Sequence, residues 1–499
     1  MIDLTLARIA EIVGGRLTDI SDADAATVRV TGTVEFDSRA VTPGGLFLAL
    51  PGARSDGHDF AAAAVQAGAA AVLAARPVGV PAIVVDPTPE TSDRAAGVLE
   101  HDVDGSGAAV LTALAKLAAA VASELVAGGL TIIGITGSSG KTSTKDLVAA
   151  VLAPLGEVVA PPGSFNNELG HPWTVLRATR STRFLVLEMS ARHRGNIAAL
   201  AAIAPPSIAV VLNVGTAHLG EFGSREAIAE TKAELPQAVP ASGAVVLNVD
   251  DSAVAAMAAK TAARIVRVSR EPGGDVDVWA EAVALDELAR PRFILHAGGE
   301  QGDVALAVHG DHQVSNALCA AGVALECGAS VEQVASALAT AGPASRHRMQ
   351  VVTRGDGVTV IDDAYNANPD SMSAGLKALA WMAREGGGRR SWAVLGEMAE
   401  LGDDAISEHD RIGRLAVRLD VSRLIVVGTG RTMSAMHHGA VMEGSWGPEA
   451  TMVADADEAL ELLRAELQPS DVVLVKASNA AGLGALADVL VTEARDPHA

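Results

Sequence analysis

Short apolar runs rich in β-branched residues recur along the chain, and in its middle part they close on a polar residue. Residues 131–135, 184–187, 208–212 and 244–247 are such runs, and the last three are followed by Glu188, Asn213 and Asn248. Bounded runs of this length read as buried strands. Helix-period stretches separate them, and strand alternating with helix predicts a mainly parallel sheet covered on both faces. Ligands of such sheets sit beyond the carboxyl ends of the strands, so Gly137, Glu188 and Asn213 are expected to converge there.

Two further groups of strands flank this middle part. Residues 46–50, 70–73 and 83–85 precede it, amid loops dense in Gly, Pro and Asp. Residues 358–361, 392–395, 424–427 and 472–475 follow it, again with helices between. The stretches HDVDGSG (101–107) and AGPAS (341–345) break the pattern. The reading is an α/β chain of three domains: a mixed α/β domain over 1–107, a central domain with a mainly parallel sheet over 108–342, and a Rossmann-like domain over 343–499. The length of 499 residues agrees with about three domains. The tail ARDPHA is expected to fray.

Composition narrows the class. Hydrophobic residues make up 49% and charged residues 20%, enough for a sizeable core. Aromatics are only 3%, so packing leans on aliphatic side chains. A formal charge of −22 argues against a nucleic-acid-coating protein, though not against a nucleotide held by a few local cations. Cys319 and Cys327 make no disulfide framework; both are expected as buried thiols in an Ala-rich helix, consistent with a reducing cytoplasm. The start MIDLTLARIAEIVGG lacks a signal-peptide layout. No membrane span is expected, because Lys116 and Glu124 interrupt the most apolar stretch.

The strongest chemical signal is TIIGITGSSGKTSTKDL, residues 131–147. An apolar run enters a glycine turn, and a helix follows Gly140-Lys141-Thr142. Backbone N–H groups across Ser138, Ser139, Gly140, Lys141 and Thr142 are expected to wrap an anion, with Ser143 close behind. Lys141 would reach the outer phosphates and Thr142 would hold Mg2+. Only two residues separate Gly137 from the Gly-Lys pair, shorter than the usual phosphate loop. An incidental turn with a surface lysine would not need both the flanking strand and the flanking helix.

Other candidates are weaker alone. Glu188, at a strand end beside the loop, suits Mg2+ because hard cations take oxygen ligands. His218 lies in a loop of small residues that could approach a ligand closely, though a lone histidine is more often a structural hydrogen-bonding residue. Lys232, beside Glu230 and Glu234, reads as a solvated helix lysine. Asn166 and Asn167 either read a substrate or satisfy their own turn. In VIDDAYNANPDSM, Asp363, Tyr365, Asn366 and Asn368 suit a second nucleotide contact, or an N-capping turn ahead of a helix. Arg348 is a candidate phosphate-binding arginine.

Together these strings resemble the Mur ligase family, ATP-dependent enzymes that build the peptidoglycan stem peptide. DDAYNANPDSM looks like the member that adds D-alanyl-D-alanine to UDP-N-acetylmuramoyl-tripeptide. DSRAVTPGGLFLALPG with DGHDF resembles its uridine-nucleotide-binding domain, and LGEMAELG with His409 resembles the start of its C-terminal domain. EMSARHRGNI and VKASNAAGL depart from the family at Ser190, Asn196, Ala477 and Asn479. The resemblance implies an ATP-dependent amide ligation through an acyl phosphate, in a cytoplasmic monomer. It implies catalytic roles for Lys141, Glu188, His218 and Lys232, and Mg2+ ligation by Thr142, Glu188, His218 and a carbamylated Lys232. His312, Asn316, Arg348 and Asp363 would contact the ATP, and Ser38, Arg39, Asn166, Asn167, Tyr365, Asn366 and Asn368 the substrate. Another Mur-type or folylpolyglutamate-type ligase is the alternative enzyme, and a non-catalytic nucleotide-binding regulator the alternative class.

Overall fold

The computed structural model describes residues 1–52, 55–87, 99–215, 219–445 and 447–492. Its centre is a nine-stranded sheet built outward from Thr131–Thr136. Thr182–Glu188 pairs with that strand on one side and Ile208–Val211 on the other, both parallel. Glu188 sits opposite Ile135, and Val211 opposite Thr136. Three strand ends therefore stop at one level, where the phosphate loop begins.

The strands alternate between two cores. Ile132, Leu185, Leu187, Ala209 and Val211 face one; Ile133, Ile135, Val186, Val210 and Val246 face the other. Burial on both faces explains why these strands read as continuous apolar runs. At the far edge, Val278–Leu285, Pro291–Ala297 and Glu300–Ala305 form an antiparallel extension. No strand is expected there from the sequence. One face of these strands is solvated, so polar residues interrupt the apolar signal.

A five-stranded sheet precedes this one, parallel except for its pairing of Arg16–Thr18 with Ala82–Val84. A six-stranded sheet follows it, parallel except for Gln350–Thr353. In the latter, Ile361, Leu395 and Leu474 face one core while Val360, Val394 and Val475 face the other.

The helix Ser106–Ala127 joins the first sheet to the second. Val110, Leu114, Leu117 and Val121 bury into a core shared with Leu46, Leu73 and Ile83 on one side and Leu185 and Leu187 on the other. By length and composition this helix is apolar enough to cross a membrane, despite Lys116 and Glu124, which corrects the expectation that no stretch qualifies. More than half of its most apolar window, 56%, is buried inside the fold, as in a core helix. Cys319 is buried as expected, whereas Cys327 caps its helix half-buried; burial raises both thiols, Cys327 to about 11.

Candidate active site

Two adjoining cavities meet at the phosphate loop. One, of about 650 Å³, runs from Ser138–Ser143 past Asn166 and Asn167 to Arg192, Glu400 and Asn479. The other, of about 350 Å³, lies between Gly140 and the helix Gln313–Glu326 on one side and Asp363 and Lys476 on the other. Arg348, Asn366 and Asn368 border both.

The loop is pinned from the neighbouring strand. Asn213, just beyond Ile208–Val211, accepts the N–H groups of Ser138 and Ser139 on its side-chain oxygen, each at 3.0 Å. Its amide donates back to Ser139 O at 3.2 Å. This corrects the expectation that both serine N–H groups wrap an anion. The orphan N–H groups of the helix Lys141–Leu152 remain for that purpose, together with its dipole. Gly140 is at φ 82°, and a Cβ there would lie 2.7 Å from Asn316 Oδ1, so only glycine fits against the second cavity.

Behind the loop runs a chain of hydrogen bonds. Arg348 donates to Ser164 Oγ at 2.6 Å, and the Ser164 and Thr142 hydroxyls lie 2.8 Å apart. Thr142 donates to Glu188 Oε2 at 3.2 Å. With the Thr142 proton committed to the carboxylate, Ser164 must donate to Thr142. The dipoles then all point from the guanidinium to Glu188. Arg348 also stacks on Tyr365, 4.6 Å from the ring centre.

Glu188 is completely buried, and its Oε1 has no hydrogen-bond partner among the described residues. Burial raises its pKa, opposed chiefly by the charge of Lys145 and then of Lys141. An orphaned carboxylate oxygen beside the Thr142 hydroxyl is the donor set of a hard divalent cation, so the residues fit Mg2+. Lys141 folds back to donate to Gly137 O at 2.7 Å, and burial lowers its pKa.

Lys232 is not the solvated residue its neighbours suggest. It is only 9% exposed, and desolvation followed by the charge of Lys141 lowers its pKa well below the ordinary value. Its two acidic neighbours are engaged elsewhere. Glu230 pairs with Arg194, and Glu234 caps the helix Asn196–Ile203 by accepting the N–H groups of Gly195 and Ala198. His218 lies outside the described residues.

Asp363 is buried against Lys476 at 2.5 Å, its register partner on the adjacent strand, and also accepts Met349 N–H at 3.1 Å. His312 lines the second cavity at the N-cap of Gln313–Glu326; burial lowers its pKa. Asn368 accepts Ser371 N–H at 2.9 Å in a capping box, so the capping alternative holds at this residue even as it borders both cavities. Asn167 likewise caps its own turn, accepting Gly170 N–H at 2.9 Å. Asn166 reaches Glu188 at 3.5 Å and Ser190 at 3.1 Å. Ser38 and Arg39 border neither cavity, and Arg39 is held by Asp37. Ser164, Lys145 and Lys476 escape sequence reading. Only the spacing of Lys145, one helical turn after Lys141, could have flagged it.

Comparison with known proteins agrees with this architecture. Residues 32–120 match the Mur ligase family catalytic domain, residues 135–324 the Mur ligase middle domain, and residues 347–479 the Mur ligase glutamate ligase domain. The UDP-N-acetylmuramoyl-tripeptide--D-alanyl-D-alanine ligase of Mycobacterium tuberculosis H37Rv is 78% identical over 99% of this chain and 98% of its own. The ligase of the same name from Escherichia coli K12 is 31% identical over 97% of each. A crystal structure of MurF from Acinetobacter baumannii superposes with a TM-score of 0.79 at 28% identity, covering 98% of this chain and 99% of that one. MurF from Thermotoga maritima, solved in complex with ADP, gives 0.75 at 27% identity over 96% and 100%. With these matches spanning nearly its full length, the chain belongs to the Mur ligase family.

Proposed function

We propose that the chain is an ATP-dependent ligase joining D-alanyl-D-alanine to UDP-N-acetylmuramoyl-tripeptide, releasing ADP and phosphate. The observation that carries the reading is the 78% identity with a ligase of that name across 99% of the chain. The site supports it: an anion-binding helix N-terminus, a buried carboxylate and several cations surround a junction of two cavities. The first sheet takes the uridine nucleotide, with Ser38 and Arg39 on its surface. Sheet membership supports domain boundaries near 107 and 342, since no pairing among the described strands crosses either point.

ATP lies with its nucleoside in the smaller cavity, between Asn316 and His312 on one side and Asp363 on the other. Its phosphates meet the loop from Gly137 to Ser143, Lys141 and Arg348. The tripeptide carboxylate enters from the larger cavity past Asn166, Asn167, Tyr365 and Asn366. A carboxylate oxygen attacks the γ-phosphorus, the bond to the β-phosphate oxygen breaks, and ADP leaves. The amine of D-alanyl-D-alanine then attacks the acyl carbon, loses a proton, and expels phosphate. Positioning and charge neutralisation dominate phosphoryl transfer, and these residues supply both.

Thr142, Glu188 and His218 would hold Mg2+, joined by Lys232 once carbamylated; the ion supplies charge neutralisation on the phosphate oxygens. The lowered pKa of Lys232, from desolvation and then the charge of Lys141, favours the neutral amine that carbamate formation requires. The chain acts as a cytoplasmic monomer. The test offers the purified chain ATP, UDP-muramoyl-tripeptide and one acceptor at a time, scoring ADP. D-alanyl-D-alanine should be the best acceptor, and equal turnover with a single amino acid would overturn the proposal.

A further inference from the structure

Beyond its charge beside Glu188, Lys145 has no role above, although it is a lysine only 2% exposed, one turn behind Lys141. Its ammonium donates to Pro161 O at 2.7 Å and to Ser345 Oγ at 3.1 Å, and pairs with Asp146 at 2.5 Å. Asp146 in turn accepts the Ser345 N–H at 3.1 Å and lies 3.3 Å from its hydroxyl. A buried cation is tolerated only when paired and hydrogen-bonded, and two hydrogen bonds with one ion pair meet that need here.

The segments it holds are informative. Pro161 is three residues before Ser164, and Ser345 is three residues before Arg348. Ser164 meets Thr142 at the front of the same helix, and Arg348 joins that contact through Ser164, in the hydrogen-bond chain described above. The helix therefore grips the same two segments twice, at Thr142 in front and at Lys145 behind. The front grip uses groups assigned to nucleotide and cation. When Thr142 and Arg348 turn to those ligands, the front bonds are exchanged while the rear grip still ties the three segments together. His347 and Met349, on either side of Arg348, are at φ 55° and 50°. Left-handed backbone at non-glycine residues costs energy and persists only where surroundings enforce it. A fixed Ser345 is such an enforcement.

We propose that Lys145 is a positioning residue for the ligation: with Asp146 and Ser345 it forms a rear clasp that holds Arg348 of the C-terminal segment, and Ser164, against the phosphate loop while nucleotide is bound. This inference rests on the reading of the loop as an ATP site. It assigns Lys145 no contact with ATP.

The experiment measures ADP binding calorimetrically on the full chain with Mg2+, alongside thermal melting. Variants are Lys145→Met, Ser345→Ala, Arg348→Ala, and Arg348→Ala combined with each of the first two. Ser345→Ala removes one hydroxyl from a linker and guards against misfolding of the lysine variant. Each of Lys145→Met and Ser345→Ala should weaken ADP about tenfold, within the range for coupled neighbours. On the Arg348→Ala background each should cost clearly less than it does alone, because part of the clasp acts through that guanidinium. Fully additive losses would overturn the clasp, as would unchanged ADP affinity in both single variants. The unaltered chain is the control: its failure to bind ADP would overturn the ATP-site reading itself, a different result from additive losses.

Discussion

The Thr142 hydroxyl donates to Glu188 Oε2 at 3.2 Å, joining the first turn of the phosphate-loop helix to the end of the strand beside it. Glu188 Oε1 has no hydrogen-bond partner among the described residues. Burying a carboxylate that is only half satisfied costs free energy, and its open oxygen is a donor suited to a hard cation.

Glu188→Gln should therefore separate activity from stability. Turnover should fall about 10²–10³-fold, the usual loss when one electrostatic stabiliser is removed. The melting temperature of the ligand-free chain should hold or rise, since a neutral amide avoids the desolvation of a buried charge. The sign with pH follows from the raised pKa of Glu188. The folded state then binds more protons than the unfolded state above pH 4.5, so the wild type loses stability as pH rises through that window. Melts from pH 4.5 upward should show the glutamine variant's advantage growing; an advantage that shrinks with pH would contradict the assignment.

Lys232 should make the enzyme sensitive to carbon dioxide. Depleting bicarbonate should lower turnover and adding it back should restore it, because burial shifts the Lys232 amine toward its neutral, nucleophilic form. Lys232→Met should be slow in both conditions and indifferent to bicarbonate. Intact mass under native conditions gives an independent reading, through the carbamate adduct on the wild type alone.

Asn213→Ala should loosen the loop. Ser138 N–H keeps a 3.2 Å bond to Asn213 O, whereas Ser139 N–H loses its acceptor. Ser139 is partly exposed, so its freed N–H should cost at most about 1 kcal/mol, readable as a shifted urea midpoint with an unchanged slope. ADP affinity should fall with it. A stable variant that binds ADP normally would show that the pin is dispensable.

The Asp363–Lys476 pair should be non-additive. Their side chains are 10% and 1% exposed, so Lys476→Met strands a buried carboxylate and should cost about 3–5 kcal/mol. Adding Asp363→Asn should recover most of that stability without restoring activity. Chemical denaturation of the single and double variants checks both halves.

Much of the fold was legible from the chain alone because its central and C-terminal strands are buried on both faces. Such strands must be apolar throughout, and their ends show as the first polar residue, at Glu188, Asn213 and Asp362. The phosphate loop was legible because strand, glycine turn and helix are contiguous. The antiparallel edge from Val278 to Ala305 was not, since half of its side chains meet water and the pattern weakens. The burial of Lys232 and the clasp of Lys145 on Ser345, a residue 200 positions away, were also hidden. Local sequence cannot say whether a lysine in a helix meets solvent or another segment. That is decided when the strands set where the helices lie, and each buried charge must then find its partners in whatever chain arrives beside it.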